Sequence, residues 1–309
     1  MGLFSKKKGA ASLSLSPEVP VRATETITAT VTVAEPLAEV SSAVVELGYV
    51  NRYRYRWAGR EGAALSQGND SWLTMDQVGT SYGSDKFTED WVHVLDQPLL
   101  VAGGVLAVGT QQVALRVPSW APGSSAETVR WQARLRVDRR GTDVEVEAPI
   151  TVLVAAPEPA PATTDLPLVQ GESALAHSLE FEIETERGCY RPGEEVRGFV
   201  AVTPRDPVDR KALVAGWFQR VEESHPLEKT PGGTTETFTR PMVTFEKDVQ
   251  LVTGQRSEFA FALTLPSDAD PTTEAVHCSV DWFLQIKVEF AGMTGGIERA
   301  QRGIIVHTA

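Results

Sequence analysis

The sequence predicts an all-β protein made of two tandem antiparallel, immunoglobulin-like β-sandwiches that a proline-rich linker joins. Three observations predict this fold: apolar and polar residues alternate in many short stretches, prolines cluster at mid-chain, and both halves carry the same landmarks in the same order. The chain has 309 residues. Because domains usually hold about 100–200 residues, two domains are expected.

The alternating stretches are typical of strands. An apolar residue at every second position turns one face of a strand inward and the other toward solvent. Many short strands separated by Gly, Pro and Asp favour antiparallel sheets, most simply a sandwich. The predicted strands cover residues 26–33, 113–117, 131–137, 143–154, 179–184, 196–202, 259–265 and 279–288.

The middle of the chain is rich in proline, with Pro157, Pro159, Pro161 and Pro167 in a short stretch. Proline fixes φ and has no N–H to donate, so it suits neither a central strand nor a helix interior. We therefore expect an extended linker. The predicted divisions are a basic tail (1–10), an N-terminal sandwich (11–155), the linker (156–175) and a C-terminal sandwich (176–309).

The two halves resemble each other. Residues 23–33 align with 192–202, and Val-Ala-Leu-Arg-Val-Pro-Ser at 113–119 aligns with Phe-Ala-Leu-Thr-Leu-Pro-Ser at 261–267. A polar turn, an aromatic-bearing strand and a closing strand follow in each half. A repeat of about 150 residues is too long for a solenoid. It indicates two copies of one sandwich, each large enough to bury its own core.

Composition excludes several classes of protein. The formal net charge is −12, from 29 Lys and Arg against 41 Asp and Glu, whereas nucleic-acid binding needs a basic surface. The two cysteines are too few for a disulfide scaffold. The start lacks the apolar core of a signal peptide, and the longest apolar stretch, 99–108, is half of the roughly 20 residues a membrane helix needs. We expect a soluble protein of the reducing cytoplasm.

The order of landmarks in the second half resembles the arrestin-like superfamily. It begins with Leu-Glu-Phe-Glu-Ile-Glu at 179–184 and continues with Tyr-Arg-Pro-Gly-Glu-Glu-Val-Arg-Gly at 190–198. Phe-Ala-Leu-Thr-Leu-Pro follows at 261–266. The first half repeats this order less completely, because Ala23-Thr24 stands where the second half has Pro192-Gly193. The resemblance implies two arrestin-like sandwiches, and a bacterial sporulation-control-like branch shares this plan.

The run Asn-Arg-Tyr-Arg-Tyr-Arg-Trp at 51–57 is the first candidate site. Strand alternation places Arg52, Arg54 and Arg56 on one face and the aromatic residues on the other. Guanidinium groups about 6.6 Å apart suit a phosphorylated or carboxylate-bearing partner. The alternative is a solvated stripe that cross-strand acids such as Glu46 or Asp138 balance.

Residues 58–90 form the second candidate, a predicted loop that contains Trp72, Tyr82 and Phe87. Loops longer than about 12–15 residues are uncommon and often functional, and aromatic residues on a loop suit partner binding. Its position resembles the central crest loop with which arrestins engage receptors. The alternative is a disordered insertion or an extra hairpin that packs its own aromatic residues.

The N-terminal Lys6, Lys7 and Lys8 form the third candidate, a weak contact with an anionic membrane. Each lysine contributes about 1 kcal/mol near such a surface, and position 6 does not complete a myristoylation pattern. The alternative is a solvated terminus.

No catalytic motif accompanies these surfaces. The five histidines are scattered, and the neighbours His277 and Cys278 should point to opposite faces of a strand. We expect no enzyme, cofactor or metal site. The predicted function is that of a scaffold, adaptor or regulator that binds a partner protein through loops and sheet edges. The alternative is a structural protein that self-associates to build or coat a cytoplasmic assembly.

Overall fold

A computed structural model describes residues 9–18, 20–58, 82–171, 179–225, 234–292 and 296–309. Strands dominate these residues, and the one helix among them is a single 3₁₀ turn at Thr163–Asp165. The all-β prediction is therefore confirmed. No helix in this part of the chain combines the length and the apolar character needed to cross a bilayer.

The chain divides into two compact units. Unit 1 contains Met1–Leu153 together with two segments from later in the chain, Glu223–Thr234 and Glu274–Ser279. Unit 2 contains Val154–Glu222, Thr235–Thr273 and Val280–Ala309.

Unit 1 is a sandwich of two antiparallel sheets. Its strands are β1 (Ala11–Ser16), β2 (Val21–Arg22), β3 (Thr26–Val33), β4 (Val40–Ala58), β5 (Tyr82–Pro98), β6 (Gly109–Arg116), β7 (Val129–Arg139), β8 (Val144–Ile150) and β9 (Val152–Leu153). One sheet has the order β1-β3-β6 and the other the order β5-β4-β7-β8. The short strands β2 and β9 pair in parallel.

The core of unit 1 lies where the inner faces of these sheets meet. Alternate residues of β3, β4 and β7 are almost inaccessible to water, among them Ile27, Leu47 and Leu135. Trp131 is also buried, and its indole Nε1 donates a hydrogen bond to the Pro122 carbonyl at 2.8 Å. Burial of apolar side chains from both sheets stabilises the sandwich.

Unit 2 repeats the same plan. Its strands are β10 (Leu168–Gly171), β11 (Leu179–Thr185), β12 (Cys189–Tyr190), β13 (Glu195–Pro204), β14 (Lys211–Ser224), β15 (Thr234–Thr239), β16 (Val243–Gln250), β17 (Ser257–Thr264), β18 (Thr273–Glu274), β19 (Cys278–Phe290) and β20 (Ile297–Val306). One sheet has the order β11-β13-β17. The other has the order β10-β20-β19-β14-β15, and β16 pairs with β14.

Equivalent features recur in the two units. Sheet β1-β3-β6 corresponds to β11-β13-β17, and the parallel pair β2-β9 corresponds to the parallel pair β12-β20. Trp282 is the counterpart of Trp131; it is buried, and its Nε1 donates to the Asp270 carbonyl at 2.9 Å. The repeat in the sequence therefore corresponds to a repeated strand topology.

The predicted loop over 58–90 is wrong for residues 82–90. These residues form the first half of β5 and pair with β4, from Ala58 opposite Tyr82 to Asn51 opposite Asp90. Polar residues occupy both faces of this stretch, so the sequence lacks the alternation that marks a half-buried strand. Residues 59–81 of the predicted loop lie outside the described residues.

Part of the predicted linker also forms a strand. Leu168–Gly171 pairs with β20 along Arg299–Arg302. This segment lies after the last of the four prolines that predict the linker. Its backbone N–H groups are therefore free to join a sheet.

Candidate functional site

The outer face of sheet β5-β4-β7-β8 carries the predicted arginines. Arg54 lies opposite Phe87 of β5, and Arg52 lies opposite Glu89. Residues that oppose each other in register share a face of the sheet. The two arginines, the exposed phenylalanine and the glutamate therefore emerge together on one side of unit 1.

The Phe87 ring contacts both guanidinium groups. Arg52 Cζ is 4.6 Å from the centre of the Phe87 ring, and Arg54 Cζ is 4.7 Å from it. Guanidinium groups within about 6 Å of an aromatic ring are attracted to its π-face. The phenylalanine nevertheless remains 51% exposed. We call these three residues the Arg–Phe–Arg cluster.

Acidic neighbours partly balance this cluster. Arg52 Nη1 is 3.4 Å from Glu127 Oε2, with both side chains partly exposed. Glu89 instead binds Arg130 of β7, whose Nη2 is 2.8 Å from Glu89 Oε2. Ion pairs at this level of exposure contribute roughly 0–1 kcal/mol. A carboxylate from outside could therefore replace Glu127 at small cost.

A second cation–π pair lies farther along the same face. Arg134 Cζ is 3.7 Å from the centre of the Trp91 ring, and Arg134 Nε is 3.1 Å from Glu147 Oε1. The Trp91 ring lies over Gly48, where an added Cβ would come within 2.6 Å of the ring and 2.4 Å of the Val92 carbonyl oxygen. The absence of a side chain at Gly48 therefore makes room for Trp91.

The inner face of β4 is firmly anchored beneath the cluster. Tyr53 is buried, and its hydroxyl donates to Asp90 Oδ2 at 2.5 Å. Burial is the main cause that raises the Tyr53 pKa, and the Asp90 carboxylate adds to it. The His277 ring packs on Tyr53 with centroids 4.7 Å apart. Alternation thus directs Arg52 and Arg54 outward and Tyr53 inward.

Asn51 adds buried hydrogen bonds within unit 1. Its Nδ2 donates to the Thr128 carbonyl at 3.1 Å and to Cys278 Sγ at 3.2 Å, and its Oδ1 accepts from the His277 N–H at 2.9 Å. The backbone of His277 and the thiol of Cys278 thus both bond Asn51, whereas the His277 ring packs on Tyr53. Cys189 and Cys278 are both buried.

The remaining predicted residues are only partly described. Arg56 lies on β4 with its backbone opposite Asp85, and Tyr82 begins β5, but their side chains lie outside the described part of the chain. Trp72 and the lysines Lys6, Lys7 and Lys8 also lie outside the described residues.

The expected acidic partners differ from those in the structure. Glu46 and Asp138 bind Arg136, at 3.3 and 3.4 Å, whereas Arg52 binds Glu127. Sequence reasoning also did not single out Arg130 and Arg134, which join the same face. The alternation Arg130, Gln132, Arg134 and Arg136 along the predicted strand at 131–137 is the signal that could have placed them there.

Among the described residues, no three His, Cys, Asp or Glu side chains are grouped so that they could hold a metal ion. The chemistry that the outer face of β4 offers is recognition: two guanidinium groups for anions and an exposed ring for apolar contact.

The fold and the outer face of sheet β5-β4-β7-β8 together define a tandem β-sandwich protein with a cationic, aromatic surface. No protein-family model matches the sequence, and no curated protein matches it. Among solved structures, the sporulation control protein Spo0M from Bacillus subtilis is similar, with 19% sequence identity and a TM-score of 0.34. The match covers 42% of this chain and 50% of that chain, so it spans half of the length of Spo0M in that structure.

Proposed function

We propose that this protein is a non-catalytic scaffold, adaptor or regulator of the arrestin-like type, which binds a partner protein in the cytoplasm. The Arg–Phe–Arg cluster is the proposed contact surface. The observation that supports this most directly is that Phe87 contacts two guanidinium groups and is still 51% exposed. An aromatic ring and arginines are the residue types that dominate binding energy at protein interfaces.

The chemistry of the cluster suits a partner segment with carboxylates beside an apolar side chain. Guanidinium groups bind carboxylates with two parallel hydrogen bonds. The exposed part of the Phe87 ring offers an apolar contact beside them. A phosphorylated side chain offers the same anionic chemistry, so the two sources are distinguished by experiment.

Selection from a phage-displayed library of random peptides tests this proposal, with the purified full chain as bait. We expect enrichment of peptides that carry Asp or Glu next to an aromatic or aliphatic residue. The variant R52Q/R54Q should lose this enrichment, and F87A should weaken it. Synthetic versions of one selected peptide, with glutamate or phosphoserine at the same position, then show which anion binds more tightly.

The matched control is R136Q. Arg136 is half exposed on the same outer face and pairs with Glu46 and Asp138, so R136Q removes a charge without touching the cluster. It should keep the enrichment. The proposal fails if wild type selects no acidic peptides, or if R52Q/R54Q selects them as well as wild type while circular dichroism shows that it is folded.

The alternative function, a self-associating structural protein, has a separate readout. If copies polymerise, light scattering over a concentration series should show an average molar mass that keeps rising with protein concentration. A reversible adaptor should instead remain a monomer or a discrete dimer.

A further inference from the structure

Unit 2 has an open apolar groove beside β17. Its volume is about 480 Å³, and its lining includes Trp217, Pro241, Val243, Leu263 and Pro266. Phe218 and Leu263 are buried, whereas Val243 and the adjacent Met242 are 46% and 47% exposed. Apolar surface left in water at such a groove favours association with another apolar surface.

Within the described part of the chain, the strand beside this groove lies at an edge of its sheet. Among the described residues, β17 pairs with β13 alone and ends the sheet β11-β13-β17. The side chains of Glu258, Ala260 and Ala262 are exposed. An edge strand presents unpaired N–H and C=O groups that can pair with another strand.

The counterpart strand β6 of unit 1 holds a neighbouring segment at its edge. There the side chain of Gln111 on β6 accepts from the Leu100 N–H at 2.8 Å and donates to the Leu100 carbonyl at 3.1 Å. Phe259 stands at the position of Gln111 in the aligned sequence of unit 2. A phenylalanine side chain has no polar atom for such hydrogen bonds, so β17 cannot make this pair of contacts.

The sequence of β17 is complementary to itself in an antiparallel register. With Phe261 opposite Phe261 of a second copy, Phe259 lies opposite Leu263 and Ala260 lies opposite Ala262. Residues that oppose each other share a face, so apolar residues meet apolar residues. Glu258 lies opposite Thr264, which avoids a pair of like charges.

The other edge of this sheet does not offer the same pairing. Strand β11 carries Glu180, Glu182 and Glu184 on one face. If two copies of β11 paired antiparallel with matching faces, for example with Glu182 opposite Glu182, Glu180 would lie opposite Glu184. Like charges that oppose each other destabilise a sheet. Among the two edges of this sheet, β17 is therefore the one suited to a second copy.

We propose that β17 pairs antiparallel with β17 of a second copy of this chain, about a two-fold axis at Phe261. The pairing joins the three-stranded sheets of two unit 2 sandwiches into one six-stranded sheet. The pairing gives hydrogen-bond partners to the backbone N–H and C=O groups at the edge of β17, and it covers apolar surface along the groove. This dimer surface lies in unit 2 and is independent of the proposed partner-binding cluster in unit 1.

Sedimentation velocity of the full chain between about 1 and about 100 µM tests the dimer. Wild type should be in monomer–dimer equilibrium in this range. The variant A260E/A262E places glutamates opposite each other across the axis and should raise the dissociation constant more than about tenfold. The variant A260K/A262E places lysine opposite glutamate and should restore dimerisation.

The matched control is Q112E/A114E, which adds glutamates at the aligned exposed positions of β6. It should dimerise like wild type. All four chains should have the same circular dichroism spectrum, because every substituted side chain is exposed. A wild type that stays monomeric to about 100 µM overturns the proposal. A dimer that A260E/A262E leaves intact, or that A260K/A262E fails to restore, overturns it as well.

Discussion

Thr24 and Gly193 adopt the same left-handed backbone conformation at equivalent turns of the two units, with φ of 71° and 82°. The residue after each of them anchors its turn in the same way. Glu25 Oε2 accepts from the Arg22 N–H at 2.9 Å, and Glu194 Oε2 accepts from the Arg191 N–H at 2.9 Å. The two turns thus share one geometry although only unit 2 has glycine at this position.

This relationship predicts that T24G stabilises the protein. A β-branched residue in the left-handed region is strained by roughly 1–2 kcal/mol, and glycine is not. Part of this gain is offset because glycine makes the unfolded chain more flexible. We expect the free energy of unfolding to rise by about 0.5–1 kcal/mol, measured by urea denaturation. The matched variant G193A should lower it, and a T24G chain less stable than wild type would contradict this reading.

The close approach of Trp91 to Gly48 predicts that G48A is destabilising. The added Cβ would lie 2.4 Å from the Val92 carbonyl oxygen, and that backbone atom cannot rotate away. Overpacking of this kind costs about 1–3 kcal/mol. Urea denaturation measures the loss. The control G171A, whose nearest contact would be 3.7 Å away, should change stability by less than about 1 kcal/mol.

A buried ion cluster in unit 2 predicts a larger effect. Arg220 is buried; its Nη1 is 3.0 Å from Asp270 Oδ2, it also contacts Glu222, and it lies over the ring of Phe238. Removal of one partner from a buried pair leaves an uncompensated charge and costs about 3–5 kcal/mol. We expect such a loss for R220M in urea denaturation.

The double variant R220M/D270N separates charge from packing. It removes one of the carboxylates that R220M leaves without a cation, so it should be more stable than R220M alone. If R220M costs less than about 1 kcal/mol, the cluster does not stabilise unit 2 through charge.

Burial of His277 predicts a pH dependence of stability. Burial lowers its pKa more than the nearby Asp90 carboxylate raises it. The unfolded chain therefore binds this proton near pH 6.5, whereas the folded chain binds it only at lower pH. The stability that neutral His277 provides is complete above about pH 6.5 and is lost as the pH falls through the lowered folded value.

Urea denaturation at a series of pH values from about 7.5 to about 5 measures this loss. The variant H277Q cannot take up the proton, so its stability should fall less steeply with decreasing pH. An NMR titration of His277 should show a midpoint below about 6.5. An equal slope in H277Q and wild type would contradict the prediction.

The fold could be predicted from the sequence wherever one face of a strand is buried. Strand β3 was predicted at its observed bounds because its threonines alternate with buried residues such as Ile27 and Val31. Strand β14 was missed, because its inner part combines consecutive buried residues around Gly216. Such a stretch has no period of two.

The candidate site was predictable only in part. Alternation was enough to place Arg52 and Arg54 outward, because it depends on local geometry. The contact of both with Phe87 depends on the register of β4 against β5, which the polar first half of β5 does not reveal. Register needs a buried face or a known turn to fix it, and neither was readable there.

The most direct test of the central claim is isothermal titration of one selected acidic, aromatic peptide into the full chain. The account predicts that R52Q/R54Q weakens binding at least about tenfold, because each charge-assisted hydrogen bond contributes about 1.5–3 kcal/mol. It predicts a smaller loss for F87A and none for R136Q. Equal affinity for wild type and a folded R52Q/R54Q variant would contradict the claim that this cluster recognises the partner.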